Sequence, residues 1–301
     1  MTKILILGAA GMLGHKLCQR LPGQGYEVVA TVRQTRERYA PYKEVFGQTR
    51  LVEGIDAMDF ESLAALVKKE KPFAVVNCVG LIKQHRDAEN RLLAVALNSY
   101  LPHRLDALCA DDGARLVHFS TDCVFSGHKG QYRESDLSDA EDVYGRSKYL
   151  GETEGPASDA VTLRSSIIGR ELIGPKHGLF EWFLGQRGKR IGGFTKAIYT
   201  GFTTIEMARI VAKVLAAQKP LRGVYQVASA PISKFDLLAL LREIGGYPVE
   251  IDANREFACD RSLVMNRFTE ETGYVAPAWK PMLEEMIADP TPYDAYEAAH
   301  V

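Results

Sequence analysis

The sequence predicts an α/β fold, a doubly wound parallel sheet with a smaller carboxyl-terminal lobe. Three observations predict it. Through the first 165 residues, short apolar runs alternate with amphipathic helical stretches. The runs are continuously apolar, as expected of parallel strands buried on both faces. The first run leads directly into a glycine-rich turn that opens the first helix.

The elements follow in order. Lys3–Leu7 is the first strand and Met12–Leu21 the first helix, closed by Pro22-Gly23. Glu27–Val32 and Thr49–Ile55 read as the next strands. A helix over Phe60–Lys71 starts at the N-cap candidate Asp59. Phe73–Val79, a long helix over Asp87–Cys109, Arg115–Ser120, a helix over Tyr144–Glu154 and Ala160–Ser165 complete the alternation. Right-handed crossovers then build the sheet. After Ser165 the pattern loosens. Thr203-x-x-Glu206 is a capping box opening a helix with Ile205, Ala208, Val211 and Leu215 on one face. A short strand at Gly223–Ala228 and a helix over Ser233–Ile244 follow. This divides the chain into 1–165, a dinucleotide-binding unit, and 166–301, mainly a lobe closing over the sheet, with the helix near 203–218 able to pack back onto the sheet.

Composition narrows the function. Of 301 residues, 46% are hydrophobic and 25% charged, ordinary for a globular chain with a large core. The 37 basic and 38 acidic residues leave a net charge of −1, so no basic field favours a nucleic acid partner. Cys18, Cys78, Cys109, Cys123 and Cys259 form no C-x-x-C pair and fit no metal-ligand spacing. Their odd number, without a signal-peptide pattern, points to a reducing cytoplasm. No apolar stretch reaches the ~20 residues of a membrane helix.

Gly8-Ala9-Ala10-Gly11-Met12-Leu13-Gly14 is G-x-x-G-x-x-G between a strand and a helix. Glycines admit a pyrophosphate close to the backbone, and the helix amino terminus supplies N–H groups and partial positive charge. The placement makes the fold Rossmann-like and the ligand a dinucleotide. The second strand ends Ala30-Thr31-Val32-Arg33, with Arg36 and Arg38 beyond. An NAD enzyme usually carries an acid there for the ribose 2′-hydroxyl; arginine suits a 2′-phosphate. NADP, bound as NADPH, is therefore the expected cofactor, with NAD as the alternative. Asp56 is a candidate acceptor for the adenine amino group or a cap for its own turn.

Tyr144-Gly145-Arg146-Ser147-Lys148 is Y-x-x-x-K. On a helix the two ends share a face, so the Lys148 ammonium is expected to lower the Tyr144 phenol from its usual ~10 and fit it to donate a proton to a carbonyl oxygen. Thr121 follows the fifth strand, where its hydroxyl can hydrogen-bond the same oxygen. An exposed helix face and a turn cap are the plain alternatives for these residues taken singly. His177 and Trp182 read as a solvated histidine and a lobe-core aromatic, and Asp139, Glu141 and Asp142 as the amino-terminal charges of the Tyr144 helix.

With these segments in view, the chain resembles the extended short-chain dehydrogenase/reductases, and within them the dTDP-4-dehydrorhamnose reductases and related nucleotide-sugar reductases. Ser120-Thr121-Asp122 with Val124-Phe125-Ser126-Gly127 is similar to that family's S-T-D-x-V-F-x-G. Val143-Tyr144-Gly145-Arg146-Ser147-Lys148 is similar to its V-Y-G-x-[ST]-K, and Leu163-Arg164-Ser165-Ser166 to its L-R-[TS]-S. The resemblance implies Thr121, Tyr144 and Lys148 as catalytic residues. It implies Gly8, Gly11, Gly14, Asn77, Cys78, Gly80 and Asn98 beside the cofactor, together with Tyr144 and Lys148; Met12 and Leu13 in the glycine turn, and Arg33 and Asp56 at strand ends, complete the cofactor candidates. Lys83, Thr121, Asp122, Cys123 and Arg261 are the substrate-side candidates, with Arg261 on the sugar nucleotide's diphosphate.

The implied reaction is NADPH-dependent reduction of the 4-keto group of a nucleotide-activated 6-deoxy sugar, feeding cell-surface polysaccharide synthesis. No metal, nucleic acid or membrane partner is expected; a homodimer is possible. Three departures put the sugar in question: Cys123 in place of an aromatic, the Val79–His85 loop, and Arg261-Ser262 in place of R-P. A UDP-2-acetamido-4-keto-6-deoxy sugar is a competing substrate. An epimerase or dehydratase is a competing activity, opposed by Cys123 where a dehydratase is expected to carry glutamate. A regulatory subunit that only binds dinucleotide is a competing class, opposed by the intact trio.

Overall fold

The computed structural model describes residues 1–85, 87–154 and 158–298. The chain runs β1 (Thr2–Leu7), α1 (Met12–Arg20), β2 (Tyr26–Thr31), α2 (Lys43–Phe46), β3 (Thr49–Val52), α3 (Phe60–Glu70), β4 (Ala74–Asn77), α4 (Arg91–Ala94), α5 (Leu101–Asp111), β5 (Arg115–Ser120), α6 (Val143–Leu150) and β6 (Val161–Arg164). It continues through β7 (Ile167–Ile168), α7 (Leu179–Leu184), β8 (Arg190–Tyr199), β9 (Phe202–Thr203), α8 (Thr204–Ala216), β10 (Gly223–Gln226), β11 (Ile232–Ser233), α9 (Lys234–Gly245), β12 (Glu250–Asp260), α10 (Asn266–Thr272), α11 (Trp279–Ile287) and α12 (Tyr293–Ala298).

Seven strands form one parallel sheet in the order β10-β6-β5-β4-β1-β2-β3. The order reverses between β1 and β4, the switch point where such sheets open a crevice at their carboxyl edge. Successive side chains of a strand face opposite layers. Thus Ile4 and Ile6 enter a core with α1, α8 and α11, while Leu5 and Leu7 enter one with α3 and α5; all four are fully buried. Burial on both faces is what the continuous apolar runs required.

The seventh strand corrects the sequence reading, which left Gly223–Ala228 with the lobe. Its parallel partner is β6, with Tyr225 opposite Leu163. The crossover is hard to read because β7, α7, β8 and β9 intervene between β6 and α8. The capped helix α8 packs against α1, as its apolar face allowed. The Thr203 hydroxyl accepts from the Glu206 N–H at 3.2 Å, but Glu206 itself accepts from the Tyr274 hydroxyl at 2.7 Å, so the box is closed at one end only.

A second sheet, β11-β8-β12, lies outside the first. Its long strands β8 and β12 are invisible to pattern reading for a physical reason. Much of β12 is exposed, and a register shift between Asn254 and Ala258 breaks the two-residue period. The predicted helix over Asp87–Cys109 also breaks up. Asn90 caps α4, accepting from the Leu93 N–H at 3.1 Å, and Val95–Tyr100 is π-helical before α5. Pro102 lacks the N–H that an unbroken α-helix would send back to Asn98, so the wider turn falls there. Helix α6 ends at Leu150, short of Glu154, because Gly151 lies against the Asn98 carbonyl, leaving no room for a side chain.

Candidate active site

The glycine turn sits where β1 meets α1. Gly8 has φ +83°, a conformation that favours glycine, and its N–H donates to the Thr31 hydroxyl at 3.2 Å. A Cβ at Gly14 would lie 2.1 Å from the Gly8 carbonyl, so glycine lets α1 close over its own turn. Gly11 is the N-cap and supplies no side-chain cap. The first-turn N–H groups, at Met12 and Leu13 among others, therefore face the crevice without a capping acceptor, which fits a pyrophosphate. Arg33 is exposed just past β2. Arg36 is partly engaged, donating to the Leu51 carbonyl at 2.9 Å. Asp56 accepts from the Met58 N–H at 2.9 Å, the turn-capping alternative.

At the switch point, buried Asn77 accepts from the Val79 N–H at 3.0 Å and its amide lies 3.2 Å from His118 Nδ1. Burial raises the adjacent Cys78 thiol far above its ordinary range, so it stays neutral. Asn98 ties this loop to α6: it accepts from the Leu81 N–H at 2.8 Å and donates to the Leu81 carbonyl at 3.0 Å and the Ser147 hydroxyl at 3.1 Å. A side chain at Gly80 would meet Asn98 Oδ1 at 3.1 Å and lie 3.9 Å from the Lys148 ammonium. Glycine keeps that approach to Lys148 open.

The two motifs meet directly. A Cβ at Gly145 would fall 2.2 Å from the Cys123 carbonyl, so the glycine after Tyr144 lets α6 abut the turn after β5. Asp142 caps α6, accepting from the Gly145 N–H at 2.7 Å, and is paired with Lys83 at 2.6 Å. Lys83 is thus held at the start of the tyrosine helix. Asp139 instead caps a different loop, accepting from the Ser126 N–H at 2.7 Å.

Thr121 donates to Asp122 Oδ1 at 3.1 Å and accepts from the Cys123 N–H at 3.1 Å; its hydroxyl is near enough to the Tyr144 phenol to favour the ionised form. Lys148 is buried and donates to the Phe119 carbonyl at 2.6 Å. Burial lowers its ammonium to about 8, against the opposing charge of Glu152. The expected lowering of Tyr144 by Lys148 is not present in this arrangement. Burial drives the phenol well above its usual range, Cys123 adds to the rise, and only the nearby Thr121 hydroxyl opposes it. The ammonium is committed to a strand carbonyl, and desolvation of the phenol dominates.

Arg261, the residue after β12, reaches this turn, donating from Nε to the Phe125 carbonyl at 2.7 Å, with Nη1 3.5 Å from Cys123 Sγ. Burial, beside Asp122, pushes the Cys123 thiol up to about 12. His177 faces the His85 ring at 6.3 Å; Phe180 and Phe183 are buried, whereas Trp182 is exposed, contrary to its expected place in a core. The sequence reading missed a buried cluster under the site. Glu152 accepts from the Ser120 hydroxyl at 2.6 Å and receives a two-pronged grip from Arg164 at 2.7 and 2.6 Å. Arg164 had signalled itself only through the L-R-S-S resemblance. Lys234 and Tyr199, on the lobe side of the site, had given no signal.

Comparison with known proteins agrees with this geometry. The RmlD substrate binding domain family matches residues 1–168. The spore coat polysaccharide biosynthesis protein SpsK of Bacillus subtilis is 26% identical over 303 residues, covering 96% of this chain and 98% of that protein. A dTDP-4-keto-6-deoxy-D-glucose reductase of Streptomyces niveus is 33% identical over 149 residues, 49% of this chain and 45% of that protein, so the match spans just under half of that relative. A Bacillus anthracis dTDP-4-dehydrorhamnose reductase, solved in complex with NADP, superposes with TM-score 0.78 at 20% identity, covering 96% of this chain and all of that one. Fold and motif order together define an extended short-chain dehydrogenase/reductase, an oxidoreductase class. Within it, the chain belongs to the RmlD substrate binding domain family.

Proposed function

We propose that this protein uses NADPH to reduce the 4-keto group of a nucleotide-activated 6-deoxy sugar, of the dTDP-4-dehydrorhamnose kind, as a precursor of cell-surface polysaccharide. The observation that carries the reading is the convergence of Thr121, Tyr144 and Lys148 beside a glycine turn with an uncapped helix terminus. The names of SpsK and the Streptomyces niveus reductase support polysaccharide synthesis and keto reduction.

NADPH supplies a hydride when bound. Gly8, Gly11, Met12, Leu13 and Gly14 would hold its pyrophosphate, Arg33 its 2′-phosphate, and Asn77, Cys78, Gly80, Asn98 and Lys148 would line its nicotinamide end. The uncapped terminus and the gap at Gly80 fit that group. Tyr144 then gives its proton to the sugar oxygen as negative charge develops there. Its raised pKa keeps the proton in place until then. Thr121 orients the carbonyl by turning its hydroxyl from Asp122, and Lys148 would hold the nicotinamide ribose. Residues 1–165 with α8 and β10 hold the cofactor, and the rest of 166–301 holds the sugar nucleotide, with Lys83, Asp122, Cys123 and Arg261 around it. The enzyme works in the cytoplasm, as a homodimer.

A dehydratase or epimerase reading is disfavoured by Cys123, whose thiol at about 12 is a poor acid or base near neutrality. Turnover of NADPH against a panel of dTDP- and UDP-linked 4-keto sugars tests the proposal. Turnover of a 6-deoxy member supports it; preference for 2-acetamido sugars transfers it to the UDP series. Tight NADPH binding with no turnover of any would leave a dinucleotide-binding subunit.

A further inference from the structure

Lys234 is the first residue of α9, directly after the cap Ser233. A cation there lies at the positive end of a helix dipole, the unfavourable end. The side chain is half-buried, and this partial loss of water lowers its pKa. Among the described residues no hydrogen bond or ion pair reaches that ammonium; its neighbour is the ring of Tyr199, 4.3 Å away at the centroid. The helix dipole and the partial loss of water both act against this cation, and the Tyr199 ring and the charge of Asp122 act for it.

Its surroundings identify what is missing. Strand register places this lysine: Ser233 pairs with Ile198 from one side of β8 and Asp260 pairs with Ile198 from the other, so Lys234 and Arg261 follow on either side of the end of β8; Asp122 attracts Lys234. These residues surround the turn that carries Thr121. Asp122 is already the acceptor for the Thr121 hydroxyl. Cys123 is held neutral. Arg261 and Lys234 repel each other. Two cations, one directly after β12 and one opening α9, thus flank the end of β8 beside this turn, and Asp122 is the carboxylate that acts on both.

We infer that Lys234 is a substrate-binding residue that shares the diphosphate of the sugar nucleotide with Arg261, on the side nearer the reacting sugar. This rests on the nucleotide-sugar reading of the site. A diphosphate bridge carries the negative charge that both cations lack, and it would bring the sugar beside Thr121 and Tyr144.

The test is calorimetric binding of dTDP and UDP, and of the turned-over sugar nucleotide, to wild type, Lys234→Met and Lys234→Arg, with NADPH affinity and melting temperature alongside. Lys234→Met should weaken the nucleoside diphosphates roughly tenfold to a hundredfold, the worth of a lost charged hydrogen bond. Lys234→Arg should recover most of that, and NADPH affinity should not change. The melting temperature of Lys234→Met should stay close to that of the wild type; a purely structural lysine would lower it. Unchanged diphosphate binding in Lys234→Met, with wild-type turnover intact, overturns the assignment alone. Weakening confined to the intact sugar nucleotide also overturns it, placing Lys234 on the sugar. Failure of the wild type to bind any nucleoside diphosphate overturns both this assignment and the proposed function.

Discussion

His15 Nε2 lies 2.8 Å from the Tyr293 hydroxyl, joining the helix of the glycine turn to a segment 278 residues away. The other ring nitrogen, Nδ1, is 2.9 Å from the Gly11 carbonyl. A carbonyl only accepts, so Nδ1 carries the proton and Nε2 accepts from the tyrosine. Both side chains are buried. Tyr293→Phe keeps the ring and leaves Nε2 without its donor. The expected loss is about 1–3 kcal/mol, read from urea unfolding at pH 7. An unchanged midpoint would remove the bond from the account of stability.

The same histidine gives a pH dependence. Burial first, then the charge of Lys16, lowers its pKa from 6.5 to about 3. The unfolded chain therefore binds a proton between pH 6.5 and 3 that the folded chain refuses. Stability is complete above 6.5 and falls with acid, by about 2 kcal/mol at pH 5 from this residue alone. Buried His118 shifts in the same direction and adds to the fall. The partner pair Lys16–Asp289, at 2.5 Å, has its carboxylate held low, and its contribution fades in stronger acid. His15→Gln should be less stable at pH 7 yet lose less on going to pH 5. Equal losses in variant and wild type would rule out His15 as the titrating group.

Cofactor choice turns on Arg33. No carboxylate follows β2 within the segment Thr31-Val32-Arg33, and Arg33 is exposed. Arg36 is partly occupied by the Leu51 carbonyl. Arg33→Ala should weaken NADPH far more than NADH in fluorescence titrations, and the difference should shrink at high salt. Equal weakening of both cofactors would place Arg33 away from the 2′-phosphate.

Strands β1, β2, β4, β5 and β6 were legible because most of each is buried on both faces, whereas the edge strand β3 is only partly buried and carries an exposed Arg50. The lobe strands β8 and β12 were not, because one face meets solvent and a bulge interrupts β12. Gly8, Tyr144 and Lys148 were legible because their spacing is local to one turn or one helix. Lys234 was not, since only tertiary folding brings α9 beside the Thr121 turn. The direction of the Tyr144 shift was also out of reach. Spacing shows that Lys148 shares a helix face with the phenol, whereas the competing Phe119 carbonyl and the depth of burial are tertiary facts.

Tyr144 carries the last prediction. Its phenol is held protonated by burial beside the Thr121 hydroxyl, so the proton is available but is released only to an oxygen gaining charge. Tyr144→Phe removes that proton and keeps the ring. Single-turnover hydride transfer should fall by roughly 10²–10⁴, while NADPH affinity persists because Lys148 and the glycine turn remain. Lys148→Met should damage both hydride transfer and NADPH affinity. Because the ammonium loses its proton near pH 8, wild-type NADPH affinity should weaken as pH rises through that value, and Lys148→Met should abolish this trend. Thr121→Val should slow hydride transfer less than Tyr144→Phe, since Thr121 only orients the carbonyl. Hydride transfer near the wild-type rate in Tyr144→Phe would refute the assignment of the proton donor, and a flat pH dependence of NADPH affinity would separate Lys148 from the cofactor.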